Sequence, residues 1–377
     1  MTEGVQRIRT QIASIAQSRL IPEALERFMK DVSLNRRRIS GVPEGITMAQ
    51  LDDLCRRTWQ RGVVAARFAP ISSWKGSSAS YLWLQLDGGE TYRVVFKSAI
   101  YPSTGSPDPD GFPVNPGPPE FWVYGTAAPV LKRHLPVCML SSRHDGMESF
   151  AYVLEDLTRT YRKPPTRTGW SSGIRQMYDI HDGLSHAVET HGDRELLNYG
   201  PGFALGLLDF ARVAIGRFQE IADDSVSQKV LDEWAGLSDA YVSTEFDLPE
   251  LLRPIHGDYN TGNVFVASDV DAPIKVVDWE WTGIGFPHMD LAAHLRAAPS
   301  NVIQAALADL SNRYPDISIR THERIFTRCE LERGLWDAGL LAAQLVSDSS
   351  QIARLEPGVS RSLSKVLHAF GRLVASQ

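Results

Sequence analysis

Cysteine is scarce in this 377-residue chain: Cys55, Cys138 and Cys329 stand far apart, are odd in number and form no CxxC pair. That usage suggests neither a zinc site nor a disulfide framework, so each reads as a small buried hydrophobe. Lysine is scarce as well, at 8 of 39 basic residues, and the resulting excess of Arg carries no mechanistic weight. No run approaches the roughly 18 apolar residues of a membrane span. The opening MTEGVQRIRTQIASIAQ lacks the continuous apolar core of a signal peptide, and a cytoplasmic protein is expected. Strong charge of either sign is missing too. A net charge of −6 gives no general attraction to nucleic acid or to an anionic membrane, so neither is expected as a partner. It is compatible with a cationic substrate but too small to decide for one.

What is present is ordinary in amount and informative in pattern. The hydrophobic content of 43% and charged content of 22% are those of a globular protein, and the length allows two lobes, each with its own core. Residues 6–31 have helical periodicity interrupted by Pro22, and after GVPEG (41–45) a second helix is expected with Thr47 as N-cap and Met48, Leu51, Leu54 and Cys55 on one face. From Ala65 the period becomes that of strands. ARFAPISSW, YLWLQL and TYRVVFKSA form a meander, with Leu82, Leu84 and Leu86 on one face. In the third strand Lys97 shares a face with Val95, opposite Val94 and Phe96. LPVCMLSS (135–142) and SFAYVLEDL (149–157) read as fourth and fifth strands. Between them and the meander, residues 101–119 carry seven prolines and three glycines, which excludes a regular element. Beyond Thr158 helices are expected near 170–191, 202–222, 226–241, 289–298, 300–313, 321–350 and 359–375.

HGDYNTGN (256–263) followed by VVDWEW (276–281) is the stretch with the most chemistry. Asn263 opens an apolar run, Ser268 to Pro273 carry turn residues, and a second run ends on Asp278. Pairing the runs about a turn centred between 270 and 271 places Asn263 opposite Asp278, with Asp258 on the loop just before. Hard oxygen donors at a hairpin mouth suit Mg²⁺, which binds through one or two carboxylates and keeps sites for phosphate and water.

The Asp-to-Asn spacing of five, the Asp-Trp-Glu after the hairpin and FPHMDLA at 286–292 together resemble the aminoglycoside phosphotransferase and choline kinase-like family of small-molecule kinases. The resemblance implies an α+β, bilobal protein-kinase-like fold. Residues 1–62 would be a helical extension, 63–157 a nucleotide-binding small lobe and 158–377 a mainly helical catalytic and acceptor-binding lobe. It implies Asp258 as catalytic base, Asn263 and Asp278 as metal ligands, Asp290 as a structural acid under the catalytic loop and His256 as its brace. Lys97 would contact the phosphates of ATP or GTP and pair with Glu120. KGSSAS, with Gly76, Ser77 and Ser78, sits where a phosphate-covering loop belongs, although it reads equally as a plain hairpin turn. Backbone groups near Glu155 and Leu157 would meet the nucleobase.

The expected activity is an Mg²⁺-dependent transfer of the γ-phosphate to a hydroxyl of an antibiotic, sugar, nucleoside or amino alcohol, with antibiotic resistance one possible role. Trp279, Glu280, Trp281, His288, Glu330, Glu332, Trp336 and Asp337 are the residues offered for the acceptor, and packed tryptophans are the competing reading. A silent kinase-fold scaffold stays open, as does the choice between monomer and homodimer. A dinuclear phosphoesterase would need further His and Asp clusters. A protein kinase would need an activation segment longer than the twelve residues from Asp278 to Asp290.

Overall fold

In the computed structural model the described residues are 39–43, 45–71, 77–100, 119–144, 149–164, 170–193, 196–222, 224–244, 248–267, 269, 272–347 and 352–375. The expected helix over 6–31, Gly76 and the Pro-rich segment up to residue 118 lie outside them.

Two residues, Ile39–Ser40 (β1), pair with the first long strand and precede helix α1, Met48–Trp59. Thr47 caps α1 as expected: its hydroxyl accepts from the Gln50 amide at 3.2 Å, and the Gln50 side chain accepts from the Thr47 amide at 2.8 Å. The helix lays Leu51, Leu54 and Cys55 against the sheet, while Met48, expected on the same face, is exposed in its first turn.

Strands β2 (Val63–Ile71), β3 (Ser77–Leu86) and β4 (Thr91–Ile100) form the meander, and β5 (Cys138–His144) and β6 (Ser149–Glu155) complete a sheet of order β1-β2-β3-β4-β6-β5. Alternation decides which face each residue covers. Leu82, Leu84 and Leu86 are buried under α1 with Val94 and Phe96, each worth about 1.5–3 kcal/mol of apolar burial. The opposite face, with Val95 and Lys97, lines a cleft.

A helical stretch crosses that face: α2 (Pro119–Trp122), a π turn over Val123–Ala127, then α3 (Ala128–Leu131). Pro129 has no amide to donate, which fits the loosened register there.

Beyond β6 the chain passes a short strand, β7 (Tyr161–Arg162), and becomes helical. Helices α4 (Trp170–His191), α5 (Pro201–Ala222), α6 (Ser225–Asp232) and α7 (Trp234–Ser243) precede the HGDYNTGN segment, with β8 (Leu197–Asn198) between α4 and α5. The single helix expected over 226–241 is two, parted at Glu233. Then come β9 (Arg253–Ile255), β10 (Val264–Ala267), β11 (Lys275–Val276) and β12 (Gly283–Gly285), followed by α8 (Pro287–His294), α9 (Ser300–Arg313), α10 (Ile319–Ser347) and α11 (Ile352–Ala375).

One apolar core packs α5, α6, α7, α10 and α11 together. Another runs from the cleft-side sheet residues Phe150, Tyr152 and Leu154 through α4 to Tyr259, Val276, Trp279 and α8. The segment 253–285 is therefore anchored on a continuous core between sheet and helices.

Candidate active site

The hairpin register differs from the expected one by a single residue. Val264 faces Val276 and Phe265 faces Lys275, and the Val277 amide donates to the Asn263 carbonyl at 3.0 Å. Asn263 thus lies opposite Val277, not Asp278. Asp278 has left the strand: its φ of 69° and ψ of 59° are left-handed, a conformation non-glycine residues adopt mainly where the surroundings over-determine it. That backbone turns its carboxylate into the cleft and starts the short helix Trp279–Trp281.

Lys97 meets it there. Its ammonium lies 2.7 Å from Glu120 Oε2, 2.8 Å from Asp278 Oδ1 and 3.6 Å from Glu280 Oε2. The expected pairing with Glu120 is present, while Glu280, offered above for the acceptor, faces Lys97 instead. Burial raises the Glu120 carboxyl above its ordinary pKa; Lys97 opposes this and Asp278 adds to it.

The loop 256–263 hangs on Asp290. Its Oδ2 accepts from the His256 amide at 2.8 Å and from His181 Nε2 at 2.8 Å, and its Oδ1 from the Gly257 amide at 2.8 Å. His256 bonds the Asp258 amide through Nδ1 at 3.2 Å and the Val277 carbonyl through Nε2 at 3.1 Å. Burial holds its pKa below the ordinary value, as suits an uncharged ring that accepts at one nitrogen and donates at the other. Gly257 has φ of 80°, and a Cβ there would strike the Trp281 carbonyl and the Tyr199 hydroxyl.

Three donors fix the Asp258 carboxylate: Asn260 Nδ2 at 2.8 Å, Asn263 Nδ2 at 2.9 Å and Arg333 Nη1 at 2.5 Å. Because Asn263 turns its amide nitrogen to Asp258, its oxygen is the atom left for a cation. Arg333, from α10, also reaches Asp337 Oδ1 at 3.3 Å. Burial works against its charge, but Asp258 and Asp337 outweigh that and hold the guanidinium above its ordinary pKa.

Asn260 and Arg333 were not among the expected residues. Asn260 had a local signal, since its side chain caps the Gly262 amide at 2.7 Å in the manner of an Asx turn. Arg333 had none, being separated from Asp258 by 75 residues.

The remaining expected residues divide. Ser77 and Ser78 belong to β3, paired with Ala99 and Ser98, and not to a loop. Glu155 and Leu157 line the cleft, but the Glu155 amide is taken by the Val137 carbonyl at 2.9 Å and its carboxylate by the Val137 amide at 3.1 Å. Of the residues offered for the acceptor, Trp279 is core and His288 is buried against His322. Glu332 is buried on Tyr241 at 2.9 Å, and Glu330 pairs outward with Arg372. Trp336 and Asp337 do line the cleft, with Trp281 packed edge-on to Trp336 at 4.5 Å.

The cleft between sheet and helices measures about 1350 Å³ and contains Lys97, Glu120, Asp258, Asn263 and Asp278. Its hard oxygen set fits Mg²⁺, an ion that shares its coordination with phosphate and water. Among the described residues no three His, Cys, Asp or Glu side chains converge as a closed metal cage, so the clusters needed by a dinuclear phosphoesterase are not found there. Nor is any described helix long and apolar enough to cross a membrane.

The architecture is that of a bilobal protein-kinase-like fold. It is similar to spectinomycin phosphotransferase APH(9)-Ia solved with ADP and spectinomycin (15% identity, 88% of this chain and 99% of the other, TM-score 0.52). It is also similar to a microcompartment-associated aminopropanol kinase (14% identity, 82% and 93%, TM-score 0.53) and to a choline/ethanolamine kinase family protein from Mesorhizobium loti (11% identity, 82% and 91%, TM-score 0.50). Residues 197–323, roughly a third of the chain, match the Phosphotransferase enzyme family, and the resemblance seen in the sequence holds over that segment. No curated protein sequence shows significant similarity to the chain.

Proposed function

We propose that the protein is a small-molecule O-phosphotransferase using Mg²⁺ and ATP or GTP, with 63–157 as nucleotide lobe and 158–377 as catalytic and acceptor lobe. The observation that carries this reading is the joint placement of Lys97–Glu120, Asp278 and the Asp258–Asn263 loop on one cleft. A scaffold needs no such set.

In this reading Lys97, held by Glu120, binds donor phosphate oxygens. Asn263 and Asp278 would hold Mg²⁺, which would supply charge neutralisation at the terminal phosphates. Asp258, oriented by Asn260, Asn263 and Arg333, accepts a hydrogen bond from the acceptor hydroxyl and takes its proton as the new O–P bond forms. Catalysis is then mostly positioning and electrostatics. The acceptor hydroxyl belongs to an antibiotic, sugar, nucleoside or amino-alcohol type of molecule, or to the class argued below.

A panel of hydroxylated metabolites and antibiotics, assayed with Mg²⁺ and either ATP or GTP, tests the reading. At least one acceptor should stimulate nucleotide turnover and leave as a phosphorylated product by mass. Nucleotide binding with no stimulation by any member would favour the scaffold.

A further inference from the structure

The helix-lined side of the cleft is basic, although the whole chain is acidic. A chain of contacts leads there from Asp258. Arg333 bridges Asp258 and Asp337, Arg296 Nη1 lies 2.6 Å from Asp337 Oδ2, and Arg296 Nη2 reaches Ser362 Oγ on α11 at 3.4 Å. One turn apart on the same helix face, Arg361 and Lys365 also line the cleft. Among the described residues of this side, four cations thus stand against two carboxylates, Asp258 and Asp337, which Arg333 and Arg296 already occupy.

Arg361 and Lys365 make no ion pair among the described residues. Arg361 Nε donates to the Pro357 carbonyl at 2.9 Å and Lys365 Nζ to the Arg296 carbonyl at 3.3 Å. Burial, then the charge of Arg296, push the Lys365 ammonium below its ordinary pKa, more than Asp337 and Glu330 restore it. This is the condition of a partly desolvated cation beside another cation, which a bound anion would relieve.

We propose that the acceptor is an anionic hydroxy compound, its carboxylate or phosphate held by Arg361 and Lys365 while its hydroxyl faces Asp258. The proposal rests on the phosphotransferase reading above. The hydroxyl oxygen bonds to the γ-phosphorus, the bond to the β-phosphate oxygen breaks, the proton passes to Asp258, and the nucleoside diphosphate leaves. A polyamine acceptor would meet two like charges on this side, and like-charge juxtaposition is a strong source of discrimination.

Probes that keep a hydroxylated skeleton and change the charge of one substituent decide it: glucose 6-phosphate, glucose and glucosamine, and likewise glycerate, glycerol and 3-amino-1,2-propanediol. Turnover and equilibrium binding to the Mg²⁺- and ADP-loaded protein are read for each. The anionic member of a set should exceed its neutral partner by about ten-fold or more in binding or in kcat/KM, with the amine lowest. The double variant Arg361→Glu/Lys365→Glu, both sites being exposed, should cut the ratio of anionic to neutral acceptor by about ten-fold or more. An equal response of the three charge classes, or preference for the amine, overturns the proposal. If nucleotide itself fails to bind with Mg²⁺, the phosphotransferase reading falls first, and the two failures are told apart.

Discussion

Asp278 shows how much one residue's backbone decides. Had it continued the β11 strand its side chain would alternate with its neighbours; in the left-handed region it swings to Lys97 at 2.8 Å. Lys97 in turn carries Glu120, Asp278 and Glu280 about one ammonium, an arrangement rich in negative charge that a divalent cation would relieve. Asp278→Asn keeps the shape and removes one charge. It should weaken the apparent Mg²⁺ affinity of the nucleotide complex by on the order of 10–100-fold and leave metal-free nucleotide binding nearly unchanged. Titrating Mg²⁺ at fixed nucleotide measures this, and an unchanged midpoint would remove Asp278 from the metal site.

At the scale of elements, the loop 256–263 is held from below by Asp290 and from the side by Val277, so its conformation is a property of α8 and the hairpin together. At Gly257 the loop leaves no room for a Cβ against the Trp281 carbonyl and the Tyr199 hydroxyl. Gly257→Ala combines a positive φ with a steric clash, and should cost about 2–4 kcal/mol of stability with loss of turnover. Urea denaturation reads the first, and a variant as stable as the parent would mean that the loop has room to move.

Elements such as α4 over 170–191 and α9 over 300–313 were legible because their apolar spacing is helical from end to end. So were Lys97 on the cleft face and Thr47 as a cap. The hairpin register was not, because alternation says which residues share a face but not how many residues the turn consumes, and it cannot foresee the left-handed residue that ends the strand. Arg333 was illegible for a plainer reason: its contact with Asp258 exists only once α10 has packed beside the loop.

The whole molecule carries −6 yet places a basic wall in its cleft, so net charge and site charge point in opposite directions. Its buried histidines act on the same global scale. His134 accepts from Arg133 at Nε2 (2.9 Å) and donates from Nδ1 to the Ile274 carbonyl (3.2 Å), and burial pushes its pKa down to about 4. Burial does the same to His294, again to about 4. Unfolded, each titrates near 6.5, so the unfolded chain takes up protons first. Their contribution is complete above about pH 6.5 and is lost as pH falls towards 4, about 2 kcal/mol for each at pH 5. Urea midpoints should therefore be lower at pH 5 than at pH 7, and equal midpoints would contradict the account of neutral buried rings.

The central claim, that Asp258 serves phosphoryl transfer from this cleft, is tested most directly by labelled γ-phosphate transfer to an active acceptor. Parent, Asp258→Asn and Asp258→Ala are compared, with nucleotide affinity measured alongside. The account predicts a loss of transfer of about 10²–10⁴-fold with nucleotide affinity within about three-fold, because in the proposed reading Asp258 meets the acceptor hydroxyl and neither the metal nor the nucleotide. Folded variants that still transfer phosphate at more than a few per cent of the parent rate would contradict it.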